Sequence, residues 1–162
     1  MTRRTGSSML FRIAVAAGAA SLAVALLMGL LSCSKDKREE RGAAASEIKW
    51  LTSYDEALAA ARDDNLPVMV DFYTDWCGWC KKLDAETYVD TQVISMSASF
   101  VSLKIDADAA REIATRYGIT GFPTILFLDP AGNEIHRVVG YRPPPQFVLE
   151  MNRAIEAFRA TS

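Results

Sequence analysis

The chain has 162 residues, half of them hydrophobic, which is enough for one packed domain of about 100–150 residues. Its formal charge is −2 and it carries no basic patch, so nucleic acid is not an expected partner. Three cysteines are too few for a disulfide-stapled scaffold, and no internal repeat is present.

The first segment, residues 1–32, holds Arg3, Arg4 and Arg12 and no acid. An uncharged run rich in Ala, Leu and Val follows from Ile13 to Leu31. A basic start before an apolar core is the pattern of an export signal. The run is long for a signal and near the lower limit for a membrane-spanning helix. It ends in Leu30-Leu31-Ser32-Cys33, which resembles the lipobox of bacterial lipoproteins, where the chain is cut before a cysteine that takes the lipid. Leu31 departs from that pattern, because a smaller residue is commoner there. Three fates stay open: a lipid anchor on Cys33, which the resemblance favours, an uncleaved transmembrane anchor with Cys33 as a buried thiol, and ordinary cleavage. Arg3-Arg4 matches a twin-arginine signal only in the pair itself. Without residues 1–32 the chain has fifteen basic residues against twenty acidic ones. Cys33 and the stretch to residue 46 have charges of both signs and no large apolar side chain, so they read as a flexible tether. Its thirteen residues after Cys33 reach at most about 45 Å.

Residues 47–162 read as the folded domain. Ser53 with Glu56 three residues later forms a capping box, and a helix through Asp64 presents Ala57, Leu58 and Ala61 on one face. The apolar, β-branched stretch 67–73 reads as a buried strand. Then comes Trp76-Cys77-Gly78-Trp79-Cys80, and Lys81 to Glu86 lacks Gly and Pro and suits a helix. The cysteines therefore sit on a strand-to-helix turn, with Cys77 at or near the first helical position and Cys80 one turn on, facing inward. Unpaired backbone N–H groups and the positive end of the helix dipole stabilise a thiolate at such a place. That makes Cys77 the expected nucleophile in thiol–disulfide exchange and Cys80 the group that resolves the mixed disulfide.

Asp90 starts a short helical turn through Ala98. Residues 100–105 alternate as a strand. Residues 106–117 read as a helix with Ile113 and Ala114 inward, ended by Gly118. Residues 124–128 are a strand, 129–133 a turn and 134–139 its hairpin partner. Pro143, Pro144 and Pro145 precede a last helix whose Phe147, Met151, Ala154, Ile155 and Phe158 fall at helical spacing. Helices interleaved with strands in this order predict one α/β domain with a mixed sheet flanked by helices.

The pairing of Trp-Cys-X-X-Cys-Lys at 76–81 with Gly121-Phe122-Pro123-Thr124 resembles the thioredoxin superfamily. Asp71-Phe72-Tyr73-Thr74-Asp75-Trp76-Cys77 and Cys80-Lys81-Lys82-Leu83 are most similar to the periplasmic C-terminal domain of the DsbD family and to related exported thioredoxin-like proteins. The resemblance covers residues 47–160 and implies a thioredoxin fold. It also implies a redox-active dithiol at Cys77 and Cys80 that needs no bound cofactor. A zinc half-site is the competing reading of the pair. Zinc wants four ligands, and the single histidine, His136, lies far along on a hairpin strand, so no metal site is expected.

Asp71 stands six residues before Cys77 in an apolar strand, where a carboxylate is costly unless used or paired. The resemblance implies that it takes the proton of Cys80, with its pKa raised by burial; a strand-end Asp reaching solvent is the plain alternative. Counted without gaps, the family's lysine partner for this Asp falls on Ser102, and Lys104 is the nearest substitute on the same strand face. For Pro123 the resemblance implies a cis Phe122–Pro123 bond whose neighbouring backbone pairs with an extended substrate. It further implies that Trp76, Gly78, Trp79, Phe122, Pro123, Gly140 and Tyr141 form a docking patch for protein disulfides, with Trp76 and Trp79 facing solvent and Phe72 and Tyr73 in the core. Trp79 departs from thioredoxin itself, which has proline there.

The expectation is a membrane-tethered, monomeric reductase of disulfides in exported proteins, facing the periplasm and fed by a membrane electron donor. Alternatives are an oxidase or isomerase of the same fold, or a client-binding module whose thiols are incidental.

Overall fold

The computed structural model describes residues 46–161, so Cys33, the apolar run and the tether up to residue 45 lie outside the described residues. Five strands form one sheet in the order β1-β3-β2-β4-β5. They are β1 (Trp50–Leu51), β2 (Val68–Tyr73), β3 (Val101–Asp106), β4 (Thr124–Leu128) and β5 (Glu134–Val139). β1, β3 and β2 run parallel, and β4 and β5 are antiparallel to their neighbours. The helices are α1 (Tyr54–Asp64), α2 (Gly78–Lys82), α3 (Thr91–Ser97), α4 (Arg111–Arg116) and α5 (Pro144–Thr161). The chain therefore folds as expected into an α/β domain with a mixed sheet.

Both faces of the sheet are covered, which is why β2 and β4 are apolar nearly throughout. Alternation along β2 sends Val68, Val70 and Phe72 to one face, against Ala57, Leu58 and Ala61 of α1 and Ala114 of α4. Met69 points the other way, into a core shared with Leu83, Tyr88, Val93 of α3 and Phe147, Met151 and Ala154 of α5. Asp71 has the parity of Met69, so it lies under the helical layer that begins at the cysteines.

Four local features depart from the sequence reading. β1 is only two residues long, too short for any periodicity to reveal it, and is defined by its pairing with Ser102 and Leu103. Asp106 ends β3 instead of opening a helix, and α4 is confined to Arg111–Arg116, with Ala114 buried and Ile113 half-buried. The helix after the cysteines is not one regular element. α2 ends at Lys82 and a π-helical turn, Leu83–Thr87, continues it. Tyr73, expected in the core, is half-buried at the end of β2. The capping serine is where expected, with Ser53 Oγ accepting from the Glu56 N–H at 3.4 Å. Gly118 closes α4 at φ +62°, a left-handed conformation open to glycine at little cost.

Among the described residues no helix is long and apolar enough to cross a membrane.

Candidate active site

β2 delivers the chain to the dithiol. Cys77 is the N-cap of α2, in extended conformation, and its Sγ accepts the Cys80 N–H at 3.0 Å. Its own N–H is held by Thr74 O at 3.1 Å. Cys77 and Cys80 are both buried and joined as a disulfide. The turn thus aims a backbone donor at the sulfur of Cys77, a geometry that favours negative charge on that atom when the bond is open.

The strand that leads to the pair carries an electrostatic cluster centred on one buried carboxylate. Asp71 is 1 % exposed. Its registry neighbour across β2 and β3 is Lys104, while Ser102 registers with Met69. Lys104 Nζ lies 3.8 Å from Asp71 Oδ2. Lys104, not Ser102, is therefore the lysine partner. A gap-free count misses it because pairing register, not sequence distance, decides which side chains meet. The ammonium also donates to Asp84 Oδ1 and lies over three aromatic rings: Tyr73 at 5.1 Å, Trp50 at 5.7 Å and Tyr88 at 5.8 Å. Such a cage stabilises a cation at a half-buried position.

Burial pushes the Asp71 pKa from 3.8 up to about 7. The Lys104 ammonium and the Tyr88 hydroxyl oppose that rise and the Asp84 carboxylate adds to it. A group poised near neutral pH can both accept and return a proton. Burial, reinforced by the Asp71 charge, drives the Tyr88 hydroxyl well above its ordinary value.

The proposed docking residues gather at the dithiol end. The Phe122–Pro123 bond is cis, and the Gly140 N–H donates to Pro123 O at 2.8 Å. Gly140 has φ +83°, so a side chain there would be strained. Trp76 and Trp79 are 69 % and 60 % exposed. Each is pinned. The Trp76 ring meets Phe122 edge-on at 5.8 Å, and its Nε1–H donates to Asp108 Oδ2 at 2.9 Å. Trp79 packs on Tyr141 at 5.8 Å; the Tyr141 hydroxyl donates to Glu86 at 2.6 Å, and Lys82 Nζ lies 5.3 Å from the Tyr141 ring. Gly78 opens α2, and a Cβ there would meet nothing within 4 Å. His136 lies apart. It stacks on Phe127 and hydrogen-bonds Glu150 at 2.7 Å, which ties β5 to α5.

Sequence reasoning missed Asp84, Tyr88, Trp50 and Asp108. Asp84 carried a usable signal, because it stands one helical turn after Cys80. The other three meet the site only through long-range packing.

A thioredoxin-like domain model matches residues 54–155. The chain is 34 % identical over 140 residues to the thiol:disulfide interchange protein DsbD of Ralstonia nicotianae, covering 83 % of this chain and 23 % of that protein. It thus spans less than a quarter of that relative's length. Among solved structures, a thioredoxin from Thermus thermophilus matches with TM-score 0.64 and 30 % identity over 71 % of this chain and 92 % of that one. The C-terminal domain of Neisseria meningitidis DsbD in its oxidised form shares the fold, with TM-score 0.58 and 21 % identity, over 65 % of this chain and 99 % of that one. A redox pair at a strand-to-helix turn, a cis proline beside it and a family match across most of the described residues lead to one assignment: the chain belongs to the thioredoxin-like family.

Proposed function

We propose that the protein is a thiol–disulfide oxidoreductase that reduces disulfides in exported proteins from a membrane tether on the periplasmic side. The observation that carries the reading is the placement of Cys77 as an N-cap whose sulfur receives a backbone N–H, with buried Asp71, paired with half-buried Lys104, on the strand that leads into that turn. In the reduced protein the Cys77 thiolate attacks one sulfur of a substrate disulfide. A mixed disulfide forms and one substrate thiolate leaves. Cys80 then gives its proton to Asp71 and attacks Cys77. The bond to substrate breaks, the second substrate thiolate leaves, and Cys77–Cys80 closes as a disulfide. Two electrons have passed to the substrate, and no separate cofactor is needed. A dithiol carrier in the membrane resets the pair. The cis-proline backbone and the rims formed by Trp76 with Phe122 and Trp79 with Tyr141 receive an extended substrate segment. The basic start, the apolar run and Cys33 support export and a lipid anchor, and the similarity to thiol:disulfide interchange proteins supports exchange with protein disulfides.

The test is the reduction potential of the purified protein, measured by equilibration with glutathione and dithiothreitol. A value near that of thioredoxin, about −270 mV, or lower is expected. A value between about −180 and −120 mV would move the function to isomerisation or oxidation. If no disulfide forms at any poise, the enzyme reading fails.

A further inference from the structure

Three buried polar side-chain atoms are left unsatisfied among the described residues: Asp71 Oδ1, the Tyr88 hydroxyl and Thr74 Oγ1. Asp71 Oδ1 and the Tyr88 hydroxyl are both sealed from solvent and have no hydrogen-bond partner among the described residues. They flank the same ammonium. Lys104 Nζ is 3.8 Å from Asp71 Oδ2 and 5.8 Å from the Tyr88 ring centre. One carboxylate oxygen of Asp71 is thus assigned to Lys104, and the other is open to a donor. Asp84, on the π-helical turn, is already paired with Lys104 through Oδ1. Of the two unpartnered hydroxyls, that of Tyr88 is the one coupled to Asp71: both residues meet Lys104, and the Tyr88 hydroxyl holds the Asp71 carboxyl down against its burial, whereas Thr74 has no such effect. The Tyr88 ring is held in place edge-on by Trp50 at 4.9 Å and by Phe147 at 5.6 Å. A buried hydroxyl and a buried carboxylate oxygen each cost free energy when unmade, so a small closing movement that joins them satisfies both.

We propose that Tyr88 is a positioning residue for the exchange reaction: its hydroxyl donates to Asp71 Oδ1 and holds that carboxylate ionised and oriented to take the Cys80 proton. Tyr88 does not touch substrate or sulfur; it acts through Asp71. Lys104 and Tyr88 then divide the two oxygens between them and together offset the cost of burying the charge, against the opposing push of Asp84. The inference rests on the proposed role of Asp71 as the base for Cys80.

The test is Tyr88→Phe, which deletes one oxygen and keeps the ring contacts. The reduced full-length protein is mixed with saturating dithiobis-nitrobenzoate, so that attack by Cys77 is fast and the second release of thionitrobenzoate reports resolution by Cys80. The native rate is expected to rise with pH through a midpoint near 7. Loss of one hydrogen bond to a charged group moves that midpoint up by about one unit, so the rate at pH 7 falls about fivefold and converges with native above pH 9 or so. In an Asp71→Asn background the same change has no further effect. A Tyr88→Phe profile that superimposes on native, or that drops equally at every pH, overturns the role of Tyr88 while Asp71→Asn still removes the limb. If Asp71→Asn leaves the limb intact, the base assignment itself fails and Tyr88 falls with it.

Discussion

Asp71 shows how one side chain trades stability for chemistry. Its carboxyl titrates at about 7 in the fold against 3.8 when free. The folded protein therefore binds this proton more tightly than the unfolded chain. Its contribution to stability is fully present below pH 3.8 and is lost as pH rises through about 7. Above that window the cost approaches about 4 kcal/mol, an upper bound at roughly 1.4 kcal/mol per pH unit. Asp71→Asn removes the titration. It is expected to stabilise the protein by a few kcal/mol at pH 8 and by little at pH 4, read from urea unfolding at the two pH values. Equal gains at both would mean that the side chain is not buried as a charge. At the same scale, Lys104 could be seen in the sequence as a candidate, but Tyr88 could not. A tyrosine eight positions past Cys80 carries no mark of the carboxylate it will face.

Among the elements, the strands and longer helices follow from local pattern, and the irregular pieces do not. α1 is bounded by Ser53 and by Asn65, the latter in the left-handed region at φ 50°. α3 begins at Asp90, whose carboxylate accepts the N–H groups of Gln92 and Val93 at 2.9 and 3.1 Å. Asp90→Ala is expected to cost about 1 kcal/mol of stability, seen as a lower Tm, with exchange activity unchanged. A larger loss, or a loss of activity, would mean that α3 helps to hold the dithiol turn. The π-helical turn at Leu83–Thr87 was not foreseeable, because its composition suits an ordinary helix. Such turns occur often at functional sites. This one carries Asp84, which reaches Lys104, and Glu86 and Thr87, which bond Tyr141 and the Arg142 carbonyl. It thereby fastens the docking loop after β5 to the helix that bears Cys80.

At the level of the molecule, the two cores and the site depend on each other. Phe147 of α5 is fully buried and packs edge-on against Tyr88, which in turn stands over Lys104. Phe147→Ala should cost roughly 3–5 kcal/mol, a large share of the roughly 5–15 kcal/mol that holds a domain folded. Chemical denaturation should show a sharply lowered midpoint; a loss under about 1 kcal/mol would mean that the helix repacks over the gap. The sequence alone determined the α/β class, the dithiol on a strand-to-helix turn and the apolar faces of α1 and α5, because all of these rest on spacing within one element. The family resemblance pointed to Asp71 and to Pro123. Only the tertiary structure decided that Lys104 meets Asp71, that Asp84 and Tyr88 complete the cluster and that Trp50 closes over it. Those contacts join residues far apart in the chain. They are set by strand register and by the packing of a helical layer on the sheet, quantities to which no local stretch of sequence has access.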